Sequence, residues 1–83
     1  KRMKIKIYTA PSCSGCINAK NWMNSKGLKY EEIVVGFDCT REELLALVPN
    51  ARTLPQIFVN ERSVGGYEDL VRELSFDMNT IEN

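Results

Sequence analysis

Cys13-Ser14-Gly15-Cys16 sets two thiols three positions apart in a chain of 83 residues. A thiolate is the nucleophile of disulfide exchange, and two thiols this close carry two electrons by opening and closing one disulfide. The same spacing could instead be half of a structural zinc site, which would need a second pair of Cys or His ligands. The chain has no His and only one further cysteine, Cys39, so the redox reading stands well above the zinc one. Without His there is also no imidazole base, and chemistry falls to Cys, carboxylates, Lys or backbone groups. The odd cysteine count argues against a secreted disulfide scaffold and points to a reducing, cytoplasmic home.

Reactive thiols need positioning, and the surrounding pattern supplies it. Lys4 to Thr9 alternates charged and apolar residues as a strand does, and Pro11 closes it. Cys16, Ala19 and Met23 recur at helical spacing, which predicts a helix from about Gly15 to Ser25, with Gly27 to end it. Cys13 falls just ahead of that helix, where unpaired N–H groups and the helix dipole favour negative charge. Cys13 is therefore the expected nucleophile, and Cys16, one turn in, the resolving thiol. Cys39 has no partner in sequence and reads as an incidental thiol.

Lys29 to Val35 is a second strand, and Thr40-Arg41-Glu42-Glu43 has the form of a capping box. The helix it starts turns Leu44, Leu45 and Val48 inward and stops at Pro49. Gln56 to Val59 and Arg62 to Val64 form a hairpin through Asn60-Glu61. Gly65-Gly66 opens a last helix from Tyr67 to about Leu74, with Leu70, Val71 and Leu74 on one face. The polar end from Asp77 to Asn83 is expected to fray. The order β-α-β-α-β-β-α describes an α/β domain. Its first two strands form a parallel, right-handed unit, and its last two an antiparallel hairpin.

Composition narrows the function. Hydrophobic residues make up 43% and charged ones 27%, as in an ordinary globular domain. Eleven Lys and Arg balance eleven Asp and Glu, which lacks the basic footprint of a nucleic-acid binder or a polybasic membrane-surface protein. No apolar stretch approaches the ~18 residues of a membrane span. The basic start lacks the apolar run of a signal peptide.

Tyr8 to Cys16 (YTAPSCSGC), Ala19-Lys20, Arg52 to Val59 (RTLPQIFV) and Val64 to Leu70 (VGGYEDL) resemble the glutaredoxins, in the family's order and over nearly the whole chain. The resemblance implies a thioredoxin fold, one domain over residues 1–83, with a four-stranded mixed sheet flanked by three helices. It implies a cytoplasmic, monomeric thiol–disulfide oxidoreductase with glutathione as co-substrate and no bound metal. Its acceptors would be protein disulfides or glutathionylated proteins, ribonucleotide reductase among them. Thr53-Leu54-Pro55 is similar to the family's T-V-P segment, whose proline is cis. The backbone of Leu54 would then pair with glutathione, flanked by Arg52 and Thr53. Beside Gly66, the N–H groups of Tyr67 and Glu68 would hold the γ-glutamyl carboxylate, and Asp69 would face its ammonium. Read alone, Pro55 merely starts a strand, and Gly65 to Asp69 is an ordinary helix start.

Two positions depart from the family. Ala10 stands where Lys or Arg is common, which removes a charge expected near the glycine carboxylate of glutathione. Arg52 or Lys20 would have to replace it. Gly15 stands where an aromatic residue is common, and leaves the Cys pair less covered. Two other readings follow: a redoxin fed by thioredoxin reductase, or an iron–sulfur carrier bridging two subunits through Cys13 and glutathione.

Overall fold

The computed structural model describes residues 3–82, and the side chains of residues 3–75. β1 (Ile5–Thr9) is the strand on which the rest assembles. β2 (Glu31–Val34) joins it in parallel and β3 (Gln56–Val59) antiparallel, and β4 (Arg62–Gly65) completes the order β2-β1-β3-β4. β2 is shorter than Lys29 to Val35 because its ladder with β1 holds only the pairs from Lys6↔Glu31 to Thr9↔Val34. Asn60 and Glu61 take left-handed φ values of 52° and 71°, as the two-residue turn of a tight hairpin requires.

Strand alternation gives the sheet two unlike faces. Ile5, Ile7, Ile57 and Val59 point to one side, where they meet Ala19 and Met23 of α1 (Ser14–Ser25) and Leu70 and Leu74 of α3 (Tyr67–Glu82). This is the main core. Ile7, Ile57 and Leu70 are wholly buried there, and truncating one of them to Ala would cost about 2–5 kcal/mol. The other side carries Lys6, Tyr8 and Phe58, with the two rings edge to face at 5.8 Å. Among the described residues the short α2 (Arg41–Leu47) covers that side, burying Leu44 while Leu45 and Val48 stay half-buried.

Helix ends follow their sequence signals. Gly27, at φ 70°, ends α1 with bonds from Gly27 N to Asn24 O and from Leu28 N to Met23 O, and Leu28 packs on the core below. At α2, Thr40 Oγ1 accepts from Glu43 N and Glu43 Oε1 accepts from Thr40 N, so the expected capping box forms. α3 runs on to Glu82, well past the expected end near Leu74. No Gly or Pro interrupts residues 75–82, so nothing stops the helix where polarity alone suggested fraying. Asn83 lies outside the described residues.

Candidate active site

The chain leaves β1 through a turn at Pro11-Ser12, with Ser12 at φ 61°, and delivers Cys13 as the N-cap of α1. An N-cap side chain normally offers oxygen to the first free amides of its helix. Here sulfur takes that place, and Cys16 N–H donates to Cys13 Sγ at 3.1 Å. Cys13 and Cys16 are joined as a disulfide, with Cα atoms 5.2 Å apart. Cys13 is half-buried, whereas Cys16 is 1% exposed. An incoming sulfur can therefore reach Cys13 and not Cys16.

The loop before β3 faces this pair. The Leu54–Pro55 bond is cis, and Leu54 O lies 3.4 Å from Cys13 Sγ. Gln56, next along, donates from Nε2 to Thr53 O at 2.9 Å and so ties the loop to the strand that follows. Gly15 lies against the same loop: a Cβ there would come within 3.2 Å of Pro55 Cδ. Any side chain at position 15 would press the loop outward by a few tenths of an ångström.

Two clefts meet at Thr53 and Leu54. One, of about 360 Å³, is bounded by Ser14, Gly15 and Asn18 on α1 and by Thr53, Leu54, Pro55, Gly66, Tyr67, Glu68 and Asp69 across from them. All the expected glutathione contacts except Arg52 gather here. Asp69 is already engaged, since its carboxylate accepts from Gly66 N at 3.1 Å and pairs with Arg72. It also requires Gly65, at φ 108°, because a Cβ there would overlap the carboxylate. The second cleft, of about 490 Å³, opens on the α2 side of Cys13, and Arg52 lies in its wall with Arg41.

Lys20 does not reach either cleft. Its ammonium sits 2.9 Å from Glu32 Oε2, which also accepts from Thr9 Oγ1 at 2.7 Å. The hydroxyl bond and then the ammonium hold the Glu32 carboxyl below the ordinary carboxylate range. This triad ties β1, β2 and α1 together, and commits Lys20 to structure. Arg52 forms no ion pair among the described residues and is left as the candidate for the charge absent at Ala10. Cys39, remote from the pair in sequence, is half-buried. Burial pushes its thiol up, and the carboxylates of Glu43 and Asp38 add to the shift.

The parts that pattern reading missed act across the fold. The Thr9–Glu32–Lys20 triad bridges separate elements, and Arg41 joins Cys13 only through the packing of α2. No local motif announces any of them.

The glutaredoxin family model matches residues 5–64. The chain is similar to the hybrid peroxiredoxin hyPrx5 of Haemophilus influenzae, at 41% identity over 66 residues, which span 80% of this chain and 27% of that protein. The structure of glutaredoxin 1 from Francisella tularensis is similar at 26% identity and a TM-score of 0.78, covering 93% of this chain and 98% of that one. NrdH-redoxin from Escherichia coli, a glutaredoxin-like protein with a thioredoxin-like activity profile, is similar at 30% identity and a TM-score of 0.69, covering 86% and 93%. With the family match taking in both the Cys pair and the loop that faces it, the chain belongs to the glutaredoxin family and has the thioredoxin fold.

Proposed function

We propose that the protein reduces protein disulfides and glutathionylated proteins through Cys13 and Cys16, and that glutathione returns it to the dithiol. In the reduced protein the Cys13 thiolate attacks one sulfur of the target disulfide. A Cys13–target disulfide forms, and the other target sulfur leaves as a thiolate that takes a proton from solvent. The Cys16 thiolate then attacks Cys13 Sγ, expels the second target thiolate and closes the Cys13–Cys16 disulfide. The target has gained two electrons and two protons. One glutathione thiolate reopens the disulfide at Cys13, releasing Cys16. A second glutathione attacks the sulfur of the first, giving oxidised glutathione and the dithiol. With a glutathionylated target, Cys13 accepts the glutathionyl group directly and a second glutathione removes it.

The observation that carries this reading is the half-buried Cys13 sulfur. It receives an N–H from its own helix and lies beside Leu54 O, and Leu54 in turn lines a cleft shared with Tyr67, Glu68 and Asp69. A helix start with free amides suits a carboxylate, and a neighbouring Asp suits an ammonium, which together describe a γ-glutamyl group. Acceptors include ribonucleotide reductase, by family resemblance, and peroxidase thiols, by likeness to the hybrid peroxiredoxin. The protein works as a cytoplasmic monomer in this reading.

A second reading is a redoxin fed by thioredoxin reductase. Ala10 offers no charge to glutathione, and the likeness to NrdH-redoxin supports it. A coupled assay separates the two. With NADPH, glutathione and glutathione reductase, turnover should exceed that with NADPH and thioredoxin reductase. The reverse order would overturn the glutathione reading and leave the redoxin one.

A further inference from the structure

The cleft on the α2 side of Cys13 is larger than the one expected to hold the γ-glutamyl end of glutathione, and of that ligand only the glycine end, toward Arg52, would reach it. Its lining is largely apolar, with Leu44, Leu45 and Leu54, and includes Cys13. Arg41 and Arg52 stand in its wall, and among the described residues no carboxylate lines it. The nearby acids of α2 are Glu42 and Glu43, and Glu43 is turned to the Thr40 amide. Arg62 and Arg72 each have an acidic partner, whereas Arg41 and Arg52 have none among the described residues. Two guanidinium groups without an acidic partner among the described residues, in a cleft also lined by three leucines, call for an occupant with both apolar and anionic groups.

We propose that this cleft docks the polypeptide segment that follows the reactive cysteine of a protein disulfide target, and that it selects a segment pairing an apolar side chain with acidic ones. The proposal rests on the oxidoreductase reading of Cys13 and deepens it. In that reading glutathione lies with its γ-glutamyl end toward Asp69 and its glycine toward Cys13 and α2. A target cysteine bound in the same direction sends its following residues into the larger cleft, where a lone glycine would leave most of the 490 Å³ empty. Small disulfides make no use of it, so the cleft adds selection among protein targets without altering the exchange step.

The test uses the pre-reduced full chain in single-turnover reactions, which need no glutathione. Three oxidised probes are compared: the disulfide-linked dimers of the peptides Ala-Cys-Leu-Asp-Asp and Ala-Cys-Leu-Lys-Lys, and hydroxyethyl disulfide. Each rate of Cys13–Cys16 formation is divided by the rate of free dithiothreitol with the same probe, which removes differences in intrinsic thiol reactivity. The Asp-tailed probe should react about tenfold faster than the Lys-tailed one at low salt, and the ratio should shrink toward one as salt rises. Arg41→Glu, a change on an exposed side chain, should bring that ratio to one or below. Equal rates for the two peptides, with hydroxyethyl disulfide also reduced, would overturn the docking proposal and leave the oxidoreductase reading intact. Failure of all three probes to oxidise the protein would overturn that reading and the proposal with it.

Discussion

Two cysteines stand before two helices in this protein, and their surroundings are opposite. Cys13 is itself the N-cap of α1, so its sulfur takes the amide of Cys16. Cys39 sits one residue before the cap of α2, where Thr40 and Glu43 satisfy each other's amides, and among the described residues no amide donates to the Cys39 sulfur. Glu43, which completes that box, adds a negative charge that together with burial and Asp38 pushes the Cys39 thiol up. Both cysteines lie near a helix start, but only Cys13 occupies the cap position, and we predict that this is what activates a thiol here.

Replacing the cysteines should have the largest effect. Cys13→Ser keeps a good cap, because Ser is among the preferred N-cap residues, yet should abolish all turnover. Cys16→Ser should retain activity on glutathione mixed disulfides and lose most of that on protein disulfides. Coupled assays with both substrate types check this, and a Cys16→Ser protein inactive toward a glutathione mixed disulfide would undo the assignment. At the other helix, Thr40→Ala should cost about 1 kcal/mol of stability, read in chemical denaturation, with the redox rate little changed.

The helices also differ in how they are mounted, since only α1 is tied by Lys20 to Glu32 and Thr9. Glu32→Gln should cost about 0.5 kcal/mol near neutral pH, a modest value because the pair is partly exposed. The carboxyl is lowered in the native state, so its contribution is present above the ordinary carboxylate range of about pH 4.3 and fades as pH falls through the lowered native value. The difference between native protein and variant, followed by denaturation across acid pH, should therefore vanish at the acid end. The smallest effect belongs to Cys39→Ser, which should leave the coupled rate within about twofold, under roughly half a kcal/mol.

What was legible in the sequence was what neighbours in the chain decide. The Cys pair, the Thr40–Glu43 box, Gly27 at the end of α1 and the Asn60–Glu61 turn are each set within a few residues, and each appears where the pattern placed it. The succession of elements, the parallel first pair and the closing hairpin followed from the same reading, whereas the antiparallel pairing of β1 with β3 did not. Lys20 shows the limit: its charge was visible, but Glu32 and Thr9 reach it only once β2 lies beside β1. Arg41 was hidden in the same way, because its place in the wall beside Cys13 depends on how α2 crosses the sheet. The far end of α3 escaped for a different reason. Polarity suggested an earlier end, but residues 75–82 hold no Gly or Pro to break the helix.

Whether Cys13 is activated by capping its own helix is tested most directly by competitive alkylation of the reduced protein. Iodoacetamide labelling across pH, resolved cysteine by cysteine by peptide mass spectrometry, should show Cys13 reacting at lower pH than Cys39. Glu43→Gln, which keeps an oxygen for the Thr40 amide, should bring the Cys39 curve down in pH without moving that of Cys13. If Cys39 alkylates at the same pH as Cys13 or below it, the cap does not activate the thiol and the account is contradicted.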